Sequence, residues 1–195
     1  MRAIIIDGKK VGVITVAMVL MIALFFMGNY LKPRKTFIIQ SQHSKKYTTY
    51  EAIKGNISYE LPSHWKSELK NFSGDEIIYH NDFKSENQVI NGFVQVWRIA
   101  VDLKEFLTNS KKIAEKQNDI IGYNITPGKV KGRESHIVTY KIRVSDDIYY
   151  RAYENFIKYE DGFIRFSFYT KDDDSDKSLN EITEFEYIVN SLNIK

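Results

Sequence analysis

Hydrophobic positions follow three different patterns along this chain. Residues 11–31 form one apolar run without a charge, residues 32–54 are mostly polar, and short amphipathic segments begin at residue 55. The uncharged run would span about 31 Å as a helix, which matches the hydrocarbon core of a bilayer. The pattern therefore predicts a short basic tail (1–10), a transmembrane helix (11–31), a polar tether (32–54) and one domain (55–195).

The predicted membrane helix, Val11–Leu31, has basic residues on both sides. A buried helix of a globular core is the alternative, but such a helix rarely lacks a polar stripe over this length. The run is longer than the apolar part of a cleaved signal and is not followed by a small-x-small site, so we expect an uncleaved signal anchor. Basic residues on both flanks leave the positive-inside rule undecided.

Two features favour a domain outside the cytoplasm. The apolar run lies close to the amino terminus, as export signals do. The chain has no cysteine, which suits an extracytoplasmic protein without disulfides, although a cytoplasmic domain could also lack cysteine. We therefore predict a single-pass protein of a cell membrane with an extracytoplasmic carboxyl-terminal domain.

Period-two alternation predicts the first strands of that domain. The segments are Asn56–Leu61, which Pro62 ends, and Glu76–His80, followed by a polar connection over Asp82–Asn87. Gln88–Val101 is apolar on both faces, so we expect it to be a central strand covered on both sides.

A helix is predicted after Asp102, because Glu105 completes a capping box and the apolar residues that follow form one stripe. Four further strands are predicted, and the first should be bent or lie at an edge because it contains Pro127. Their ranges are Asn124–Lys131, Ser135–Val144, Ile148–Tyr159 and Phe163–Thr170. Asp161-Gly162 predicts a hairpin turn between the last two. Ser178 and Glu181 form a second capping-box pair at the start of a closing helix.

This order of elements predicts an α+β domain, in which helices cover a twisted antiparallel sheet. Gly55–Trp65 resembles the opening of PsbP-like domains, where a strand ends in proline, a short turn and tryptophan. Phe185–Leu192 is similar to the final helix of that family, whereas His64 stands where the family often has glycine. The resemblance implies an α/β/α sandwich that serves as a non-enzymatic binding or assembly module and is frequently exported.

The charge of the chain is unevenly distributed. Six of the 28 basic residues but one of the 25 acidic residues lie within the first 35 positions, so the remaining chain is slightly acidic. The basic residues thus flank the predicted membrane helix, where they can meet anionic headgroups. Nothing in this distribution indicates a nucleic-acid partner.

No motif with catalytic spacing is present. The four histidines are not spaced as metal ligands, so we expect ordinary surface or edge positions for them. The acidic run Asp172–Asp176 begins like a calcium loop, but Lys177 and Thr183 replace the required glycine and glutamate. We predict no cofactor and no metal site. A surface hydrolase or metal-dependent enzyme with a dispersed site remains the alternative function, because only geometry would reveal it.

Two groups of residues are candidates for partner binding. Lys129, Lys131 and Arg133 form a basic cluster that could meet an anionic partner, or could be a solvated loop. Tyr149, Arg151 and Tyr153 share one face of a strand, and tyrosine and arginine are common interface anchors, although a core position with a snorkelling arginine would look the same. The expected partners are the bilayer and a membrane or cell-envelope protein.

Overall fold

A computed structural model describes residues 47–172 and 178–195 of the chain. Within these residues the strands are β1 (Tyr47–Ala52), β2 (Ile57–Pro62), β3 (Lys66–Leu69), β4 (Ile77–Lys84), β5 (Ile90–Arg98), β6 (Ile120–Val130), β7 (Arg133–Ser145), β8 (Ile148–Tyr159), β9 (Gly162–Lys171) and β10 (Asn193–Ile194). The helices are α1 (Leu103–Gln117) and α2 (Ser178–Ser191). A short 3-10 turn, Ile53–Gly55, joins the first two strands.

Seven strands form one antiparallel sheet in the order β3-β4-β5-β9-β8-β7-β6. The strands β5 and β9 lie inside it, and nearly all their residues are buried, because both faces of the sheet are covered there. This confirms the prediction of a central strand before α1. The strand β6 lies at one edge, as Pro127 predicts.

One face of the large sheet packs against α2 and a small sheet of order β1-β2-β10. Their shared core includes Tyr59, Phe166, Phe168, Phe185 and Ile188, all with at most 3% of their surface exposed. Residues of β9 alternate between the two faces, so Phe166 and Phe168 point to this core and their neighbours point away from it.

The other face packs against α1, and its core includes Trp97, Leu103, Leu107, Phe156 and Phe163. The helix begins as predicted, because the Asp102 side chain accepts a hydrogen bond from the Glu105 backbone N–H at 2.8 Å. The domain is therefore an α+β fold whose large antiparallel sheet is covered on both faces, in agreement with the predicted class.

Several details of the sequence prediction are wrong. Residues 47–54, which were assigned to the tether, form β1 and the following turn, because Tyr47–Ala52 pairs along β2. The edge strand β3 was not predicted, and β4 continues through Asp82 to Lys84 instead of ending at His80. Exposed edge strands have no buried face, so their sequence carries little alternation.

The predicted membrane helix, 11–31, lies outside the described residues. No helix within 47–172 and 178–195 has the length and apolarity needed to cross a bilayer.

Candidate functional site

A groove runs between α2 and the strands β6, β7 and β8, and we call it the notch. Its volume is about 320 Å³, within the range of small ligand sites. Its apolar lining consists of Ile121, Ala152, Tyr153, Ile182 and Phe185. Its polar lining includes the buried Thr170 and, closer to solvent, Thr139, Lys141, Arg151 and Glu181. The notch is thus an apolar depression with charged side chains at its border.

Two irregular features shape the notch. The pairing of β6 with β7 shifts between Ile121 and Asn124, and Gly122 has a left-handed φ of 68° there. Ile121 at this irregularity is 50% exposed, and Ile182 on the helix side is 41% exposed. Two large aliphatic side chains therefore remain open to solvent on opposite walls.

The floor beside α2 is held by aromatic contacts. The ring of Phe185 stacks on Phe168 with centroids 4.3 Å apart and lies 5.9 Å from the ring of Tyr153. Partial burial raises the pKa of Tyr153, and the nearby Glu186 raises it further. The phenol therefore remains neutral over the physiological range and can donate or accept a hydrogen bond.

Two cations at the rim share one carboxylate. Lys141 and Arg151 are direct partners on β7 and β8. Asp172 lies 2.7 Å from Lys141 Nζ and 3.0 Å from Arg151 Nε. Partly exposed ion pairs of this kind contribute about 0–1 kcal/mol, so their main effect is to hold both side chains at the rim. Asp172 offsets one of the two positive charges, and Glu181 brings a second carboxylate to the rim.

The predicted binding residues Arg151 and Tyr153 both line the notch, whereas Tyr149 on the same strand does not. Sequence reasoning missed Lys141, Ile121 and Ile182, which belong to other elements. Lys141 had a detectable signal, because it lies on the polar face of an alternating strand. Only the register between β7 and β8 reveals that it faces Arg151.

The second predicted group lies elsewhere. Lys129, Lys131 and Arg133 are exposed at the hairpin between β6 and β7, where Lys131 has a positive φ of 49°. Eight residues of extended strand separate Arg133 from Lys141, which corresponds to about 26 Å. The two predicted groups therefore form separate surfaces.

A buried ionic cluster lies on the α1 side of the large sheet. Glu154 Oε1 accepts hydrogen bonds from Arg165 at 2.7 Å, Tyr169 at 2.7 Å and Tyr140 at 3.0 Å. The Arg165 guanidinium lies between the rings of Phe93 and Phe156, at 4.9 and 5.2 Å. Burial and the Glu154 carboxylate raise the pKa of Tyr140 and Tyr169. The Glu154 carboxylate is buried and fully engaged by these three donors, which is typical of a group that stabilises the fold.

A second polar chain includes a buried histidine. Trp97 Nε1 donates to Gln95 Oε1 at 2.9 Å, so the Gln95 amide nitrogen donates to His80 Nδ1 at 2.8 Å. His80 Nε2 then donates to Asp82 at 2.6 Å. Both ring nitrogens are occupied, which leaves neither as a general base for a serine. His80 and His136 are both buried, so the prediction of surface or edge positions is wrong for them.

Asp82 also contacts Lys70. Burial by itself would raise the pKa of Asp82, but hydrogen bonds from His80 and Lys70 outweigh it and lower this pKa below its usual value. Among the described residues, no group of three or more histidine, aspartate and glutamate side chains is arranged to hold a metal ion. Most of the acidic run, 173–176, lies outside them.

No family model and no curated protein sequence matches this chain. Solved structures do match it. The solution structure of cyanobacterial PsbP (CyanoP) from Synechocystis sp. PCC 6803 superposes with a TM-score of 0.59 at 12% identity, covering 82% of this chain and 98% of that one. The Ran-binding protein Mog1p of Saccharomyces cerevisiae gives 0.53 at 11% identity, covering 77% and 96%. The described part of the chain therefore has the PsbP-like fold.

Proposed function

We propose that this protein is a non-enzymatic binding or assembly module that a transmembrane helix at 11–31 holds on the extracytoplasmic side of a cell membrane. The observation that carries the proposal is the notch, where an apolar floor and the predicted anchors Arg151 and Tyr153 meet at one accessible surface. The partner is a membrane or cell-envelope protein that inserts apolar side chains between β6 and α2.

The buried polar groups favour binding over catalysis. Glu154, Arg165 and His80 already have hydrogen-bond partners within the core and do not open onto the notch. The fold is shared with a protein named as Ran-binding, which supports a protein partner at the level of analogy. No geometry within the described residues favours the alternative of a surface hydrolase.

The tether supports confinement near the bilayer. The first described strand begins at Tyr47, and random-coil scaling gives a polar link over 32–46 an r.m.s. reach of about 20 Å. Confinement raises the effective concentration for a membrane partner without a new contact. Replacing 11–31 with a cleavable export signal should impair the cellular role although the domain still folds. Full complementation by the released domain at matched abundance would favour the hydrolase or a diffusible ligand.

A crosslinking experiment tests the binding site. A photo-reactive phenylalanine analogue at Thr139, on the notch rim, should crosslink to one defined protein in native membranes. Arg151→Glu should abolish the crosslink and the cellular role. Arg133→Glu makes the same charge change at the distant hairpin and should leave both intact. If both substitutions reduce the crosslink and the cellular role equally, in proteins of unchanged stability, the notch is not the partner-binding site.

The predicted side of the membrane has its own test. Because the chain has no cysteine, a Val89→Cys variant carries a single exposed thiol. A membrane-impermeant maleimide should label this thiol in intact cells. Labelling only after lysis would contradict the extracytoplasmic placement.

A further inference from the structure

We propose that the chain's own segment Phe37–Ile39 docks into the notch. Ile121 and Ile182 are half-exposed and line the same groove, so they form one shared apolar surface instead of two isolated exposed side chains. A short apolar segment placed between them would remove both side chains from water. The occupant is argued from the position, length and composition of the chain before Tyr47.

The chain enters the domain beside α2, the helix that forms one wall of the notch. Tyr47 Oη donates a hydrogen bond to Glu184 Oε1 at 2.9 Å, and the Tyr47 and Tyr187 rings lie 4.3 Å apart. Glu184 and Ile182 are two residues apart on α2 and therefore point to opposite sides of the helix, so the chain before Tyr47 starts about one helix diameter, roughly 10 Å, from the notch wall.

The segment has sufficient reach. Seven residues separate Ile39 from Tyr47, and an extended chain of that length spans at most about 26 Å. A connection of seven residues gives an effective concentration of the order of millimolar, so even a weak apolar contact is populated.

The composition of the segment suits the notch. Phe37, Ile38 and Ile39 are three consecutive apolar residues in an otherwise polar link, and positions 36–44 contain no lysine, arginine, aspartate or glutamate. The two cations Lys141 and Arg151 are matched by two carboxylates, Asp172 and Glu181, so the rim does not require an anionic ligand. An uncharged apolar segment therefore fits this groove better than an anion would.

Docking would have two consequences. It would shorten the tether and hold the domain closer to residue 31. It would also place an intramolecular competitor in the proposed partner site, so that a partner must displace the segment. The docking itself does not depend on the identity of a partner or on the membrane side of the domain.

Thiol reactivity tests the docking in the full chain. Ile182→Cys is made in the cysteine-free protein and kept in phosphatidylcholine nanodiscs, and its rate of maleimide modification is measured. If the segment occupies the notch for nine-tenths of the time, replacing Phe37, Ile38 and Ile39 by serine should accelerate modification about tenfold. Val89→Cys, similarly exposed at the β4–β5 turn, should react at the same rate in both backgrounds. An unchanged rate at position 182 would overturn the proposal.

Cysteine pairs identify the occupant directly. Phe37→Cys, Ile38→Cys or Ile39→Cys is combined with Ile182→Cys, and disulfide formation requires Cα atoms within about 7 Å. The control pairs the same cysteine with Ser63→Cys. Ser63 lies beside Thr48, near the chain entry but away from the notch. At least one pair with Ile182→Cys should form a disulfide several-fold faster than its control. Equal rates for the two pairs would contradict docking, as would disulfides formed only between chains, since those place a second copy in the notch.

Discussion

Trp65 lies where the two sheets meet. It is only 8% exposed, its backbone N–H donates to the Pro62 carbonyl at 2.9 Å, and its ring centroid is 5.4 Å from that of Phe83. The Pro-Ser-His turn therefore returns the indole to the core, which agrees with a structural role for this residue.

Trp65→Ala should lower the free energy of unfolding by about 3–5 kcal/mol, because it removes a large buried side chain and leaves a cavity. Leu69→Ala is the control, since Leu69 is 68% exposed and its truncation should cost within about 0.5 kcal/mol. Urea unfolding of both variants measures the difference. Unchanged stability in Trp65→Ala would indicate that the indole is free for a partner.

Asp82 makes stability depend on pH. Its pKa in the folded protein is lowered, because the His80 and Lys70 bonds outweigh burial. A lowered pKa contributes stability that is present above the unfolded value of about 3.9 and is lost as pH falls through the folded value. Asp82→Asn should therefore cost stability at pH 7 and flatten the decline below about pH 4. Urea midpoints at both pH values test this, and parallel curves for the two proteins would contradict it.

At the scale of elements, the edge strands resist pairing with another chain. The strand β3 has four residues and includes Lys66 and Glu68, while β6 contains Pro127 and the irregularity at Gly122. Charges, prolines and bulges are common protections of exposed edges. A partner therefore has better access to the side chains of the notch than to the backbone of an edge.

Gly162, at the start of β9, is required for close packing and does not lie in the β8–β9 turn itself. Pairing of Tyr159 with Gly162 places Glu160 and Asp161 in the turn, and Glu160 has the positive φ. A Cβ at Gly162 would lie 1.9 Å from the Trp97 carbonyl oxygen. The glycine therefore permits the close approach of β5, whereas the Asp-Gly pattern suggested a turn position.

Gly162→Ala should destabilise the protein by about 1–3 kcal/mol or more, since backbone atoms of β5 must move. Gly128→Ala is the matched control, because the nearest atom to its Cβ is the Ser135 hydroxyl at 3.2 Å and a small shift of that side chain suffices. Thermal or urea unfolding ranks the two variants. Equal losses of unfolding free energy in the two variants would show that the close contact with the Trp97 carbonyl does not determine the cost of the substitution.

At the scale of the whole molecule, β1 is an integral part of the domain. Tyr47–Ala52 pairs with β2 over six residues, and Tyr47 also joins α2 through Glu184. The fragment Tyr47–Lys195 should therefore unfold cooperatively. The fragment Gly55–Lys195 should be less stable by about 2 kcal/mol or more, because each backbone hydrogen bond contributes about 1 kcal/mol net. Urea unfolding compares the fragments, and equal stability would restore residue 55 as the boundary.

The sequence by itself determined the α+β class, the central strand before α1, the cap at Asp102 and the order of the later strands. These features depend on local periodicity and on single residues such as Pro127, which act over a few positions. The short motifs at Gly55–Trp65 and Phe185–Leu192 were sufficient to indicate the PsbP-like fold, which the structural matches confirm.

Only the tertiary structure decided which residues of different elements meet in the notch and in the buried cluster. Alternation shows that Arg151 and Tyr153 share a face, but the register of β7 against β8 is needed to bring Lys141 to them, and the packing of α2 is needed to bring Ile182. The same is true of Glu154 and Arg165, whose partners come from different strands. The β7–β8 register depends on the turn geometry and on the shift between Arg143 and Ser145, and the docking of α2 depends on contacts between distant residues; simple alternation encodes neither.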